Sequence, residues 1–197
     1  DAASSRAKLL TTEASRDRMA GLDPLVAIAH AHRLPLWVAE LNSAPCGGAP
    51  GASDSFAAAL WLTDALFALV RAGADRAAVQ TFDGAVYAPF ARRGTAAEAR
   101  PPFFGMLAFA RAAPRGTRLV PVRIAGGGGR VRAWATAFPA SSLATARVIT
   151  KRAEPPLPGC VVHEQARPAR RRGIPVQVEM PQLAQEPAGH DRVLMLA

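Results

Sequence analysis

Tyrosine occurs once in this chain of 197 residues, at Tyr87, and cysteine twice, at Cys46 and Cys160. Two cysteines permit a single disulfide, which excludes a small scaffold stapled by several bridges. One lies in a Gly-rich loop and the other far away in the C-terminal segment, so a bridge is not expected and compartment cannot be read from them. Half of the residues (50%) are hydrophobic, yet no apolar run free of polar side chains reaches the length of about 18 residues that a membrane span requires. The chain begins at Asp1 without an initiator Met and without the apolar core of a signal peptide, and it reads as the C-terminal part of a longer protein. Acidic residues are the minority, 15 against 24 basic ones, and the net charge of +9 is carried almost wholly by arginine. Such a field attracts an anionic substrate as readily as nucleic acid. The one basic run, Arg167-Pro-Ala-Arg-Arg-Arg172, has no interleaved aromatics and lies in Pro-rich sequence, so it reads as a solvated loop and no nucleic-acid partner is expected. Histidine is also scarce. His30 and His32, two positions apart on a helix, face different ways, while His163 and His190 are isolated, so neither a metal site nor a cofactor is expected.

What is present alternates between helix and strand. Asp23 and Pro24 open a helix whose packing face is Leu25, Val26, Ile28 and Ala29 and which ends near Arg33. Leu36-Trp-Val-Ala-Glu-Leu-Asn-Ser43 follows, an apolar run that reads as a strand buried on both faces and ending in a carboxylate, Glu40. If the strand belongs to a parallel sheet, Glu40 sits at the carboxyl end, where barrels and open α/β sheets carry their chemistry. The loop Ala44-Pro-Cys-Gly-Gly-Ala-Pro-Gly51 comes next, with glycines that let a ligand approach the backbone. Ser53 is placed to cap a helix from Asp54 to Ala72, apolar almost all round and therefore enclosed, with Gly73 as its stop. Ala77 to Phe82 is the next strand. A long connection from Phe82 to Pro101 leaves that strand's carboxyl end, and the double proline Pro101-Pro102 opens a last helix.

From Arg118 the period changes to two. Val120, Val122 and Ile124 alternate with Leu119, Pro121 and Arg123, and after Gly126 to Gly129 the residues Val131, Ala133 and Ala135 alternate with Arg132, Trp134 and Thr136, the pattern of a hairpin. Further strands are expected at Ala146 to Thr150, Val161-Val162, Ile174 to Met180 and Val193 to Leu196.

Glu40-Leu-Asn-Ser43, Cys46-Gly-Gly-Ala-Pro50 and Ser53-Asp-Ser-Phe-Ala-Ala-Ala-Leu-Trp-Leu62 together resemble the retaining glycosidases of the heparanase and β-glucuronidase family, glycoside hydrolase family 79. Tyr87-Ala-Pro-Phe90 and Pro102-Phe-Phe-Gly-Met-Leu-Ala-Phe-Ala-Arg111 look like the family's final barrel loop and helix, and Arg118-Leu-Val-Pro-Val122 like the start of its β domain. The resemblance runs from about residue 9 to about residue 136. It implies an α/β plus β chain: the C-terminal half of a (β/α)8 TIM barrel over residues 1–115, then a small β-sandwich-like domain over residues 116–197. It also implies a secreted, periplasmic or otherwise extracellular location, and a glucuronide or other carbohydrate containing uronic acid as substrate.

By the same resemblance Glu40 is the nucleophile. Retaining hydrolysis uses one ionised carboxylate to attack the anomeric carbon and a second, about 5 to 5.5 Å away, to protonate the leaving oxygen. In the family that acid/base follows an Asn, and no Asn-Glu pair occurs in this chain. Asp54, Asp83 and Glu98 are adequately explained as a helix-cap, a loop and a solvent-facing residue. The resemblance further implies that Asn42, the backbone around Cys46, Gly47 and Gly48, and the phenol of Tyr87 bind the sugar, the amides and the phenol holding its carboxylate. Nothing adjacent to Cys46 would activate it as a nucleophile. The expectation is a retaining β-glucuronidase that this chain alone does not complete. The alternative is a catalytically inactive carbohydrate-binding or structural relic of the same fold.

Overall fold

A computed structural model describes residues 2–124, 131–138, 144–150, 176–178 and 195–196. Expectations for Gly126 to Gly129, Cys160 to His163, the arginine run from Arg167 and His190 lie outside the described residues. The chain divides into two units, Asp1–Arg111 with Leu194–Ala197, and Ala112–Val193. The last residues group with the first unit.

In the first unit, α1 (Ala2–Leu9), a π-helical turn (Glu13–Asp17), α2 (Arg18–Ala20) and α3 (Asp23–Ala31) lead to β1 (Trp37–Leu41). From there α4 (Phe56–Ala72) crosses over to β2 (Arg76–Val79), which runs parallel to β1. An antiparallel hairpin of β3 (Phe90–Arg93) and β4 (Ala96–Ala99) follows, then α5 (Pro101–Ala112). The second unit holds β5 (Arg118–Val120), β6 (Val122–Ile124), β7 (Val131–Ala137), β8 (Ala144–Thr150) and β9 (Val176–Val178). A final strand, β10 (Met195–Leu196), pairs in parallel with β2, which makes the order of the first sheet β1-β2-β10. None of these small sheets closes into a barrel.

The core of the first unit is α4. Ala58, Leu62, Ala65, Leu66, Phe67, Ala68 and Leu69 are all buried almost completely, as an all-round apolar helix requires. Its buried polar groups are satisfied, the Thr63 hydroxyl by the Ala59 carbonyl at 2.9 Å. The Trp61 indole donates to the Ala14 carbonyl at 2.8 Å, and buried Asp64 accepts from Ser15 Oγ at 2.5 Å with Arg16 Nε 3.6 Å from its other oxygen. A carboxylate taken out of water needs such partners, and here they fasten the π-helical turn to α4. On another side Phe67 meets Phe109 of α5 edge-on, with centroids 5.0 Å apart. Gly105 lets α5 approach so closely that a Cβ there would lie 2.5 Å from the Ala59 carbonyl oxygen.

Several expectations need correction. Ser53 does not cap α4; Ser55 occupies the cap position, without a side-chain cap bond, because Ser53 is engaged in the preceding loop. β1 is not buried on both faces. Leu41 is buried but Trp37 is 54% exposed; among the described residues β1 is the edge of its sheet and pairs with β2 alone. Of the α3 face only Val26 is buried, leaving Leu25 and Ile28 53% and 60% exposed. The end of α3 is nevertheless tied to the strands: His30 Nε2 and the Leu36 N–H both lie 2.8 Å from Asp75 Oδ2, and the Asp75 N–H donates to the Leu36 carbonyl.

The connection after Phe82 contains the β3–β4 hairpin, invisible to periodicity because after Phe90 its strand residues are Ala, Arg and Glu and nearly all exposed. In the second unit Pro121, which lacks an N–H, divides the expected strand into β5 and β6. β5 pairs with β7, and β6 pairs with β9. β7 lies between β5 and β8 and is buried along its whole length, so its alternation does not mark a solvent face.

Gly105→Ala tests the packing of α5 on α4. Helix propensity alone would make the substitution stabilising by about 1 kcal/mol, but the listener to the new methyl is backbone, which cannot rotate away. The expected outcome in urea unfolding is a net loss of about 1 to 3 kcal/mol, and a gain in stability would contradict the close approach.

Candidate active site

A crossover connection makes β1 and β2 parallel, so their carboxyl ends meet. Leu41 lies opposite Val79, and the Gln80 N–H donates to the Leu41 carbonyl at 3.3 Å. The segment from Val38 to Leu41 holds one residue more than its partner segment from Ala77 to Val79, so the register shifts beside Glu40. Irregularities of this kind re-aim side chains at the ends of strands. Leu41 is buried and Glu40 is exposed. The exposure differs from the buried charge expected of an enclosed strand, and it follows from the edge position of β1.

Four side chains form a connected network there. Asn42 Nδ2 donates to Glu40 Oε1 at 2.8 Å and to Gln80 Oε1 at 3.0 Å. The Tyr87 hydroxyl donates to the same Gln80 oxygen at 3.0 Å. Glu40, Asn42 and Tyr87 are therefore brought together, and Gln80, which sequence reasoning placed only within a strand, is the residue that joins them. Its one sequence signal was a polar amide late in an apolar strand candidate; that it stands level with the end of β1 follows from the pairing register. Asn42 Oδ1 is buried and has no hydrogen-bond partner among the described residues.

The Gly-rich loop is built against Tyr87. Cys46, Gly47 and Gly48 have φ values of 53°, 84° and 101°. The Val86 N–H donates to the Gly47 carbonyl at 2.6 Å. A Cβ on Gly48 would come within 3.0 Å of the Tyr87 nitrogen and the Val86 Cβ, so only glycine permits this approach. The Gly48 N–H closes a turn onto the Pro45 carbonyl at 3.1 Å. Among the described residues no hydrogen bond engages the Cys46 and Gly47 amides at the tip of the loop, nor those of Ala44 and Gly51 at its ends. The other end of the loop is held by buried Ser53, which accepts from the Ala49 N–H at 2.9 Å and meets Ser43 Oγ at 2.8 Å.

Tyr87 is itself buried, with Phe82 edge-on to its ring at 6.0 Å. Burial, then the negative charge of Glu40, then that of Cys46, push its phenol above the ordinary value. The phenol is thus a proton-bearing donor throughout the neutral range. The remaining candidate carboxylates face arginines: Asp83 pairs with Arg92 at 3.2 Å, Asp54 with Arg100 at 3.7 Å, and Glu98 with Arg93. Cys46 is a free, exposed thiol. Among the described residues no three metal-ligating side chains converge, and no helix is long and apolar enough to cross a membrane.

As the only tyrosine, Tyr87 can be followed by phenolate absorbance without interference. Its midpoint should lie above the ordinary value of about 10. Glu40→Gln should lower it, Cys46→Ser should lower it less, and neither should bring it fully down, because burial is the first cause. A phenol whose pKa is raised by folding favours the folded state below the unfolded value, and this contribution is lost as pH rises through the folded one. Stability should therefore fall across that alkaline window, and a midpoint indifferent to Glu40 would contradict the proximity of the two groups. Scanned against models of known protein families the chain matches none, and a search of curated proteins finds no match.

Proposed function

We propose that this chain carries the nucleophile half of a retaining β-glucuronidase, the second half of a (β/α)8 barrel with an appended β-sandwich-like domain, acting on glucuronides or glycans that contain uronic acid. The observation that carries the reading is the network at the carboxyl ends of β1 and β2, where Glu40 is held by Asn42 and stands near a buried, protonated Tyr87. In this reading Glu40 Oε1 is held by Asn42 while Oε2 attacks the anomeric carbon, forming a glycosyl ester that water then hydrolyses. The sugar carboxylate takes hydrogen bonds from the Cys46 and Gly47 amides and from Tyr87, whose proton turns from Gln80 to the stronger, charged acceptor. These donors are neutral, so they hold an anion without pairing Glu40 with a cation.

The edge of β1, unpaired among the described residues, and the exposed side chains of Leu25, Ile28, Leu34 and Trp37 suit a preceding barrel unit, which would pair with β1 and cover α3. That unit would bring the acid/base that this chain does not contain. The absence of an Asn-Glu pair equally favours the second reading, an inactive carbohydrate-binding or structural relic. An upstream sequence that ends a strand with Asn-Glu would select the hydrolase.

The test is made on the polypeptide that includes the acid/base. Glu40→Gln should lower turnover of an aryl β-glucuronide by several orders of magnitude with binding largely retained. Glu40→Gly leaves room beside the anomeric carbon, so azide or formate should restore activity by taking the place of the carboxylate, azide giving a glycosyl azide of inverted configuration. Near wild-type turnover by Glu40→Gln would end the nucleophile assignment.

A further inference from the structure

We propose that Gln80 is a positioning residue, the joint through which Tyr87 and Asn42 act on Glu40 as one unit. The inference deepens the reading of Glu40 as nucleophile and rests on it. The side-chain amide of Asn42 has two hydrogens, and both are committed, one to Glu40 Oε1 and one to Gln80 Oε1. Turning that amide over would set Asn42 Oδ1 against two other acceptors, so its orientation is dictated by its partners. Gln80 Oε1 in turn has two lone pairs, and both are used, one by Asn42 and one by Tyr87. Neither amide can rotate without breaking a bond on each side. Gln80 follows directly on β2, whose central place in the first sheet gives it a neighbour on either edge. Glu40 stands on an exposed edge strand and would otherwise be free to sample rotamers.

The consequence for a ligand follows from the same proton count. The single hydrogen of the Tyr87 hydroxyl is committed to Gln80 in the unliganded protein. A carboxylate that recruits it leaves one Gln80 lone pair unoccupied and changes the charge on the oxygen that Asn42 also bonds. Occupation of the carboxylate subsite is thereby transmitted to the group that holds Glu40, over bonds of 3.0, 3.0 and 2.8 Å.

The composition of the chain supplies two unobscured probes, since Asn42 is the only asparagine and Tyr87 the only tyrosine. With asparagine labelled selectively with nitrogen-15, Tyr87→Phe removes one hydroxyl and keeps the ring. It should shift the Asn42 side-chain amide resonances when Gln80 is present and leave them in place in a Gln80→Ala background. A hydrogen bond donated by a phenol stabilises its protonated form, so Gln80→Ala should also lower the midpoint of phenolate formation, whereas Gln80→Glu, an acceptor that adds charge, should raise it. Equal resonance shifts in both backgrounds, or a midpoint unmoved by Gln80→Ala, would overturn the proposal. Should Gln80→Ala fail to fold, a midpoint unmoved by Gln80→Glu would overturn it equally. Neither readout involves a glucuronide, so this coupling and the nucleophile assignment fail on different measurements.

Discussion

Two parallel strands cannot be joined by a tight turn, and the chain between β1 and β2 must therefore cross over as a helix that needs cover of its own. Almost every other feature of the first unit answers that requirement. α4 is enclosed: the π-helical turn is fastened to it through Trp61 and Asp64, and α5 approaches it at a glycine and an aromatic pair. What the enclosure secures is the level at which β1 and β2 end. Leu41 opposite Val79 sets Asn42 beside Gln80, and Gly73, Asp75 and His30 fix the opposite ends of the strands by capping α4 and tying α3 to Leu36.

The chemistry at those strand ends is that of a carboxylate among neutral donors. An arginine beside Glu40 would neutralise it, whereas Asn42 gives it a hydrogen bond and no charge. Arg92, Arg100 and Arg93 are occupied elsewhere, with Asp83, Asp54 and Glu98. Tyr87 is buried and keeps its proton, so it offers a donor where a lysine would offer an ion. The separation of charged from neutral donors is what the proposed role, an anionic sugar next to a carboxylate nucleophile, would require.

Much of this was legible in the sequence, for identifiable reasons. α4 announced itself by an unbroken apolar surface, Gly73 by its position after it, and α5 by its double proline. Glu40, Asn42 and the Gly-rich loop stood out because polar and small residues directly follow an apolar strand. The hairpin of β3 and β4 was hidden, since exposed Ala, Arg and Glu carry no period. Gln80 was hidden for another reason: its role depends on which residue of β2 lies level with Leu41, and pairing register is not written in either strand alone. The exposure of Trp37 and Ile28 was missed because apolar character says that a residue can be buried, not that an element is present to bury it.

The central claim is that Glu40 is a covalent nucleophile, and trapping the intermediate tests it most directly. A 2-deoxy-2-fluoro-β-glucuronyl fluoride has a leaving group that needs no protonation and a substituent that slows hydrolysis of the ester. Incubated with the polypeptide that turns over aryl β-glucuronides, it should leave a fluoroglucuronyl group on the peptide that contains Glu40, located by fragmentation mass spectrometry. An adduct on a different carboxylate, or turnover with no adduct at all, would contradict the account.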